Sequence, residues 1–89
     1  MPARRVTSPG FRDHRYRTVI DRLVDRRKAL GLTQQALADA LGLHKQYVSR
    51  VELGERRLDF IEFADYVRAM GLEPGEVLAQ VPYASEANG

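Results

Sequence analysis

Four polar side chains fall close together in the middle of the chain: Lys45, Gln46, Ser49 and Arg50. At about 100° per residue, a helix places Gln46, Ser49 and Arg50 on one face, with Leu53 beside them and Lys45 at the leading end. Their types suit the edges of base pairs. Arginine forks onto guanine O6 and N7, glutamine onto adenine N6 and N7, and serine onto either kind of group. The opposite face of the same stretch carries Val48 and Val51, with His44 and Glu52. It therefore has an apolar side to bury and a polar side to present. Taken alone, such a polar face is usually an ordinary solvated surface; what argues against that here is the segment in front of it.

From Gln34 to Leu53 the pattern is demanding. Two helices that meet at a steep angle need a small residue where their backbones approach, and Ala38 supplies it. The turn between them needs one residue at positive φ, and Gly42 supplies that. Leu37, Leu41, Leu43, Val48 and Val51 fall where side chains are expected to enter a shared core, and no proline interrupts either helix. The spacing predicts a second helix from the N-cap Thr33 to about Leu41, a very short turn at Gly42 and Leu43, and a third helix from His44 to Leu53, closed by Gly54. In such a pair the first turn of the second helix is the part that reaches a major groove. Gln34, at the start of the helix before it, is placed to meet a phosphate through its side chain and the helix's unpaired N–H groups.

Three further helices must hold this pair. A first helix over roughly Asp13 to Leu30 has its apolar stripe at Tyr16, Val19, Ile20, Leu23, Val24 and Leu30, with Gly31 as the stop. A fourth starts at Asp59, where Asp59 and Glu62 have capping-box spacing, and its expected stripe is Phe60, Phe63, Ala64, Val67 and Met70, ending at Gly71. Pro74 suits the first turn of a short fifth helix carrying Val77, Leu78 and Val81. The fold class is therefore all-α, with five helices in residues 13–83. Residues 1–12 read as a flexible basic arm, whose Arg4 and Arg5 form either a plain tail or a minor-groove contact. Residues 84–89 read as a disordered tail.

One pair of charges stands apart. Arg27 continues the apolar stripe of the first helix, four residues after Leu23, and Glu52 lies on the core side of the third. A charge on a core face is costly unless it is paired, so these two are expected to form a partly buried ion pair tying the helices together. The alternative is two long side chains reaching water separately.

Charge and composition narrow the function classes. The net charge of +2 hides a gradient: residues 1–28 hold nine Arg/Lys against three Asp, while residues 58–89 hold one Arg against six acidic residues. One end attracts polyanions and the other does not. The 89 residues contain no cysteine, so neither disulfides nor a thiolate metal site are expected, and the reading is of a cytoplasmic protein with no cofactor and no metal. The two histidines, His14 and His44, lack metal-ligand spacing, and Ser49 has no evident base, so an enzyme is not expected. No apolar run approaches a membrane span, and no signal-peptide h-region is visible at the N-terminus.

At this point the chain resembles the Xre/Cro/C1 family of bacterial and phage helix-turn-helix regulators. The resemblance covers roughly Tyr16 to Leu78. It rests on LTQQALADALGL from Leu32 to Leu43, YVSRVELG from Tyr47 to Gly54, and GERRLDFIEF from Gly54 to Phe63. It implies a lambda-repressor-like domain with the helix-turn-helix in helices 2 and 3. It also implies that Lys45, Gln46, Ser49 and Arg50 face the major groove, that Gln34 contacts phosphate and that Glu52 pairs with a first-helix arginine. The expected phosphate set is Thr33, Gln34, Tyr47 and Arg56. The implied function is sequence-specific binding of double-stranded DNA as a homodimer, in a transcriptional regulator of repressor type. The alternative is the antitoxin of a toxin–antitoxin pair, whose acidic C-terminal third would meet a basic toxin protein. Two departures stand out: His44 occupies a position where Ser, Thr or Pro is usual, and Leu58 replaces a frequent Pro. The first predicts a poorly capped third helix; the second matters little because Asp59 still starts the fourth.

Overall fold

Local capping chemistry sets where each helix begins. A computed structural model describes residues 13–83, which form α1 (His14–Ala29), α2 (Gln34–Leu41), α3 (Lys45–Leu53), α4 (Phe60–Ala69) and α5 (Pro74–Ala79). The expected arm and tail, including Arg4 and Arg5, lie outside the described residues. Asp13 caps α1 by accepting from the Arg15 amide, and Thr33 caps α2 by accepting from the Ala36 amide. Asp59 and Glu62 form a reciprocal capping box at α4. α3 and α5 lack such a bond: neither His44 nor Glu73 makes a side-chain capping contact, and α5 starts instead on Pro74. The histidine therefore leaves the first turn of α3 without the contact that Ser or Thr would supply.

The turn between α2 and α3 depends on Gly42, which sits at φ +70° as the left-handed cap of α2. Its amide bonds back to the Asp39 carbonyl, and the Leu43 amide bonds to that of Ala38. This tight reversal lets α3 start at Lys45 and cross α2 with Ala38 at the contact. Ala38, Leu37 and Val48 are completely buried, and Val51 nearly so.

All five helices share one core. Ile20 and Leu23 enter it from α1, Leu37 and Ala38 from α2, Val48 and Val51 from α3, Phe63, Tyr66 and Val67 from α4, and Val77 from α5. Burial of each large apolar side chain contributes roughly 1.5–3 kcal/mol, so a chain this short depends on sharing them across every element.

The expected inward sets need three corrections. Phe60, assigned to the buried stripe of α4, is 80% exposed, and the buried face is Phe63, Tyr66, Val67 and Met70 instead. Helical spacing fixes which residues share a face, but the neighbouring helices fix which face is covered; with α2 and α5 packed on α4, Tyr66 is buried and Phe60 is left bare. Leu43, expected in the core, is 40% exposed, because the turn carries it past the α2–α3 contact. Leu30 of the expected α1 stripe is also exposed, lying at the helix cap where the chain turns away.

Candidate nucleic-acid interface

α3 presents two chemically distinct faces. Val48 and Val51 are sealed in the core, while Lys45, Gln46 and Arg50 are exposed and Ser49 is half-buried. The ion pairs among the described residues are Arg15–Asp13, Arg17–Asp21, Arg27–Glu52, Arg56–Glu62 and Arg68–Glu73. Neither Lys45 nor Arg50 takes part in any of them. Both cations on the outer face therefore have no carboxylate partner among the described residues, and lie next to the amide donor of Gln46 and the hydroxyl of Ser49. Leu53 closes the same face and is 66% exposed.

Behind this face, Arg27 and Glu52 meet. Arg27 Nε donates to Glu52 Oε2 at 2.6 Å and Nη2 donates to Oε1 at 3.0 Å, a bidentate fork between side chains about one-tenth exposed. Arg27 Nη1 donates to the Leu32 carbonyl at 2.8 Å, so the guanidinium also holds the turn into α2. The bonds to Glu52 raise the Arg27 pKa above its ordinary value, against the opposing effect of burial. Gln34, the first residue of α2, joins the same carboxylate: its Nε2 donates to Glu52 Oε1 at 2.8 Å.

Of the other residues expected near phosphate, Thr33 is occupied at its hydroxyl oxygen by the α2 cap, but its O–H keeps a proton to donate. Tyr47 and Arg56 come together, the Arg56 guanidinium lying 4.8 Å from the centre of the Tyr47 ring. Arg56 also pairs with Glu62, whose other oxygen accepts from the Asp59 amide in the capping box. Burial pushes the Tyr47 hydroxyl above its ordinary value, with the Arg56 contact opposing it. These links fasten the loop after α3 to both α3 and α4.

Residues 23–77, more than half of the chain, match the family described as Helix-turn-helix. A solved structure described as an XRE-family like protein from Pseudomonas syringae pv. tomato str. DC3000 is 41% identical. The match covers 79% of this chain and 85% of that chain, with a TM-score of 0.75. The chain belongs to the Xre/Cro helix-turn-helix family. A comparison with curated proteins returns no match. As an Xre/Cro-type protein it is a DNA-binding transcriptional regulator with a lambda-repressor-like fold, and family membership accounts for the architecture without a catalytic role.

Two arginines of this Xre/Cro-type regulator escape sequence reasoning. Arg17 Nη2 donates to the Glu52 main-chain carbonyl at 2.8 Å while its Nε holds Asp21, so α1 braces the C-terminal end of α3. Arg26 Nε donates to the Met70 carbonyl at 2.9 Å and does the same for α4. Cations are favoured at helix C-termini. The partners are distant in sequence, so only the abundance of arginine on α1 hints at such a role. Among the described residues no helix is long and apolar enough to cross a membrane.

Proposed function

We propose that this regulator binds a specific duplex sequence as a homodimer and acts as a cytoplasmic repressor. In this reading Lys45, Gln46, Ser49 and Arg50 read base edges in the major groove, while Thr33, Gln34, Tyr47 and Arg56 position the domain on phosphates. Arg27 and Glu52 hold the reading helix. The observation that carries it is the outer face of α3, which displays two cations that no carboxylate of the described chain pairs with, on a helix locked from behind by Val48, Val51 and Glu52. Selection from a random duplex library, followed by sequencing, tests it. Recovery of a single motif with two-fold symmetry is expected, with half-sites about 34 Å apart centre to centre. Recovery of no motif removes the reading.

The proposed dimer surface is α4, α5 and the segment Val81–Tyr83. A groove of about 370 Å³ opens there, lined by Tyr16, Val19, Phe63, Leu78 and Val81, with Phe60 on its rim. Phe60 and Leu78 at this groove, and Ile61 and Tyr83 on the same segments, are all at least half exposed, apolar surface that a second copy would cover. The alternative, an antitoxin with a basic toxin partner, draws on the acidic C-terminal third. Two of those acids are already engaged within the chain, Glu62 by Arg56 and Glu73 by Arg68, which favours the homodimer. Purification from the native host separates the two: a second small protein at equal stoichiometry supports the antitoxin, and a clean homodimer excludes it.

A further inference from the structure

Glu52 belongs neither to the base-reading face of α3 nor to the phosphate set, yet three elements converge on it. Its carboxylate accepts from Arg27 Nε, Arg27 Nη2 and Gln34 Nε2, and its main-chain carbonyl accepts from Arg17 Nη2. Arg17 and Arg27 come from α1, Gln34 opens α2, and Glu52 is the penultimate residue of α3. The Gln34 link is the informative one. A carboxylate only accepts hydrogen bonds, so Gln34 must turn its NH₂ group toward Glu52. A phosphate oxygen also only accepts, and the amide Oε1 of Gln34 would repel it. The single side-chain group of Gln34 able to serve a phosphate is therefore the second hydrogen on the same Nε2 that Glu52 holds.

We propose that Glu52 is a positioning residue for DNA binding: it fixes the amide of Gln34 so that the remaining Nε2 hydrogen faces the backbone phosphate at the start of α2. This rests on the DNA-binding reading above and adds a coupling to it. An unanchored glutamine loses rotamer freedom when it meets a phosphate; here the side chain is ordered before DNA arrives. Glu52 can sit so close to an anionic backbone because the bidentate Arg27 neutralises it. The phosphate contact on α2 and the reading face of α3 then dock as one body, since the same carboxylate fastens both.

The test is a double-mutant cycle on duplex affinity, using the selected duplex, at a temperature where circular dichroism shows every variant folded. Arg27→Met with Glu52→Leu removes the acceptor of Gln34 without leaving a buried charge unpaired. Gln34→Met removes the donor. Each change alone is expected to weaken binding roughly five- to tenfold for every sequence, and the triple variant no further than either. Because Gln34 is uncharged, the slope of affinity against salt should stay the same. Losses that multiply in the triple variant overturn the coupling.

A second measurement on the wild-type protein stands even if the double variant does not fold. In the free protein one side-chain amide proton of Gln34 should be protected from exchange, and adding duplex should shift the other. Two equivalent, unprotected protons overturn the proposal. A wild-type protein that binds no duplex while the protected proton is present removes the DNA-binding reading and leaves Gln34 as a structural contact only.

Discussion

Arg17 reaches the main-chain carbonyl of Glu52 with its Nη2 at 2.8 Å, and a Cβ added to Gly54 would stand 3.3 Å from Nη1 of the same guanidinium. The end of α3 is thus closed by a glycine at φ +81° and a cation lodged beside it. A side chain at position 54 and Arg17 in its present place compete for one space. Gly54→Ala should therefore cost more than Gly42→Ala, which carries the same left-handed strain of about 1–2 kcal/mol but meets nothing within 4 Å. In an Arg17→Ala background the two costs should converge. Urea titrations of the two glycine variants, of Arg17→Ala and of the two double variants check this, and equal costs in the wild-type background would show that Arg17 yields freely.

Breaking the Arg27–Glu52 pair from one side should be far more harmful than replacing both. Glu52→Ala leaves a guanidinium with little solvent around it and should cost about 3–5 kcal/mol, a large share of the stability of so small a domain. Arg27→Met with Glu52→Leu should fall within about 1–2 kcal/mol of wild type in either direction. Chemical denaturation measures both. A pair replacement as damaging as Glu52→Ala would mean that the ion pair contributes net stability.

Base-reading and phosphate-contacting residues should separate by the pattern of their defects. Arg50→Ala should cost about 1–3 kcal/mol on the preferred duplex and relax selection at one base position. Lys45→Ala and Gln46→Ala should alter neighbouring positions, whereas Arg56→Met should weaken all sequences alike. Repeating the library selection with each variant reads this directly; an unchanged motif for Arg50→Ala would displace it from the reading set.

The acid limb of stability should carry a contribution from Asp13. Its carboxyl is held at about 2 by the side-chain hydrogen bond from Arg15, with burial opposing, against an unfolded value of 3.8. Because the folded value is lowered, the contribution is complete above about pH 4 and disappears as the pH falls through 2. Asp13 is partly solvated, so the effect should be about 1 kcal/mol or less. Asp13→Asn keeps an α1 cap and should flatten the loss of melting temperature between pH 4 and 2; an unchanged pH profile would exclude Asp13 as its source.

Phe60→Ser should leave the isolated domain almost unaffected, within about 0.5 kcal/mol, because the ring is 80% exposed. If α4 and α5 form the homodimer surface, the same change should shift sedimentation from dimer to monomer at tens of micromolar. A wild-type monomer under those conditions, with and without DNA, rules the surface out.

The legibility of this chain follows the range of the interactions involved. Thr33, Asp59 and Glu62 mark helix starts through bonds spanning three residues, and Gly42 marks the turn through its own φ. Such signals are complete within a short window. Phe60 and Tyr66 show where this stops: both fit an amphipathic α4, and only the packing of its neighbouring helices decides that Tyr66 is buried and Phe60 is not. Leu43 is exposed for the same reason, since being apolar says nothing about the direction in which a tight turn leaves the core.

The four polar residues of α3 follow the same division. Helical periodicity with Val48 and Val51 turned inward is enough to give a helix from Lys45 to Leu53 an outer face of Lys45, Gln46, Ser49 and Arg50. The same periodicity puts Arg27 and Glu52 on core faces, where each needs a partner because burying a charge alone is so costly. That the Glu52 carboxylate serves Arg27 and Gln34 together, and that Arg17 closes α3, depends on packing between helices. Those bonds join residues 18 to 35 positions apart. Their geometry exists only once α1, α2 and α3 have packed on the core formed by Leu37, Ala38, Val48 and Val51.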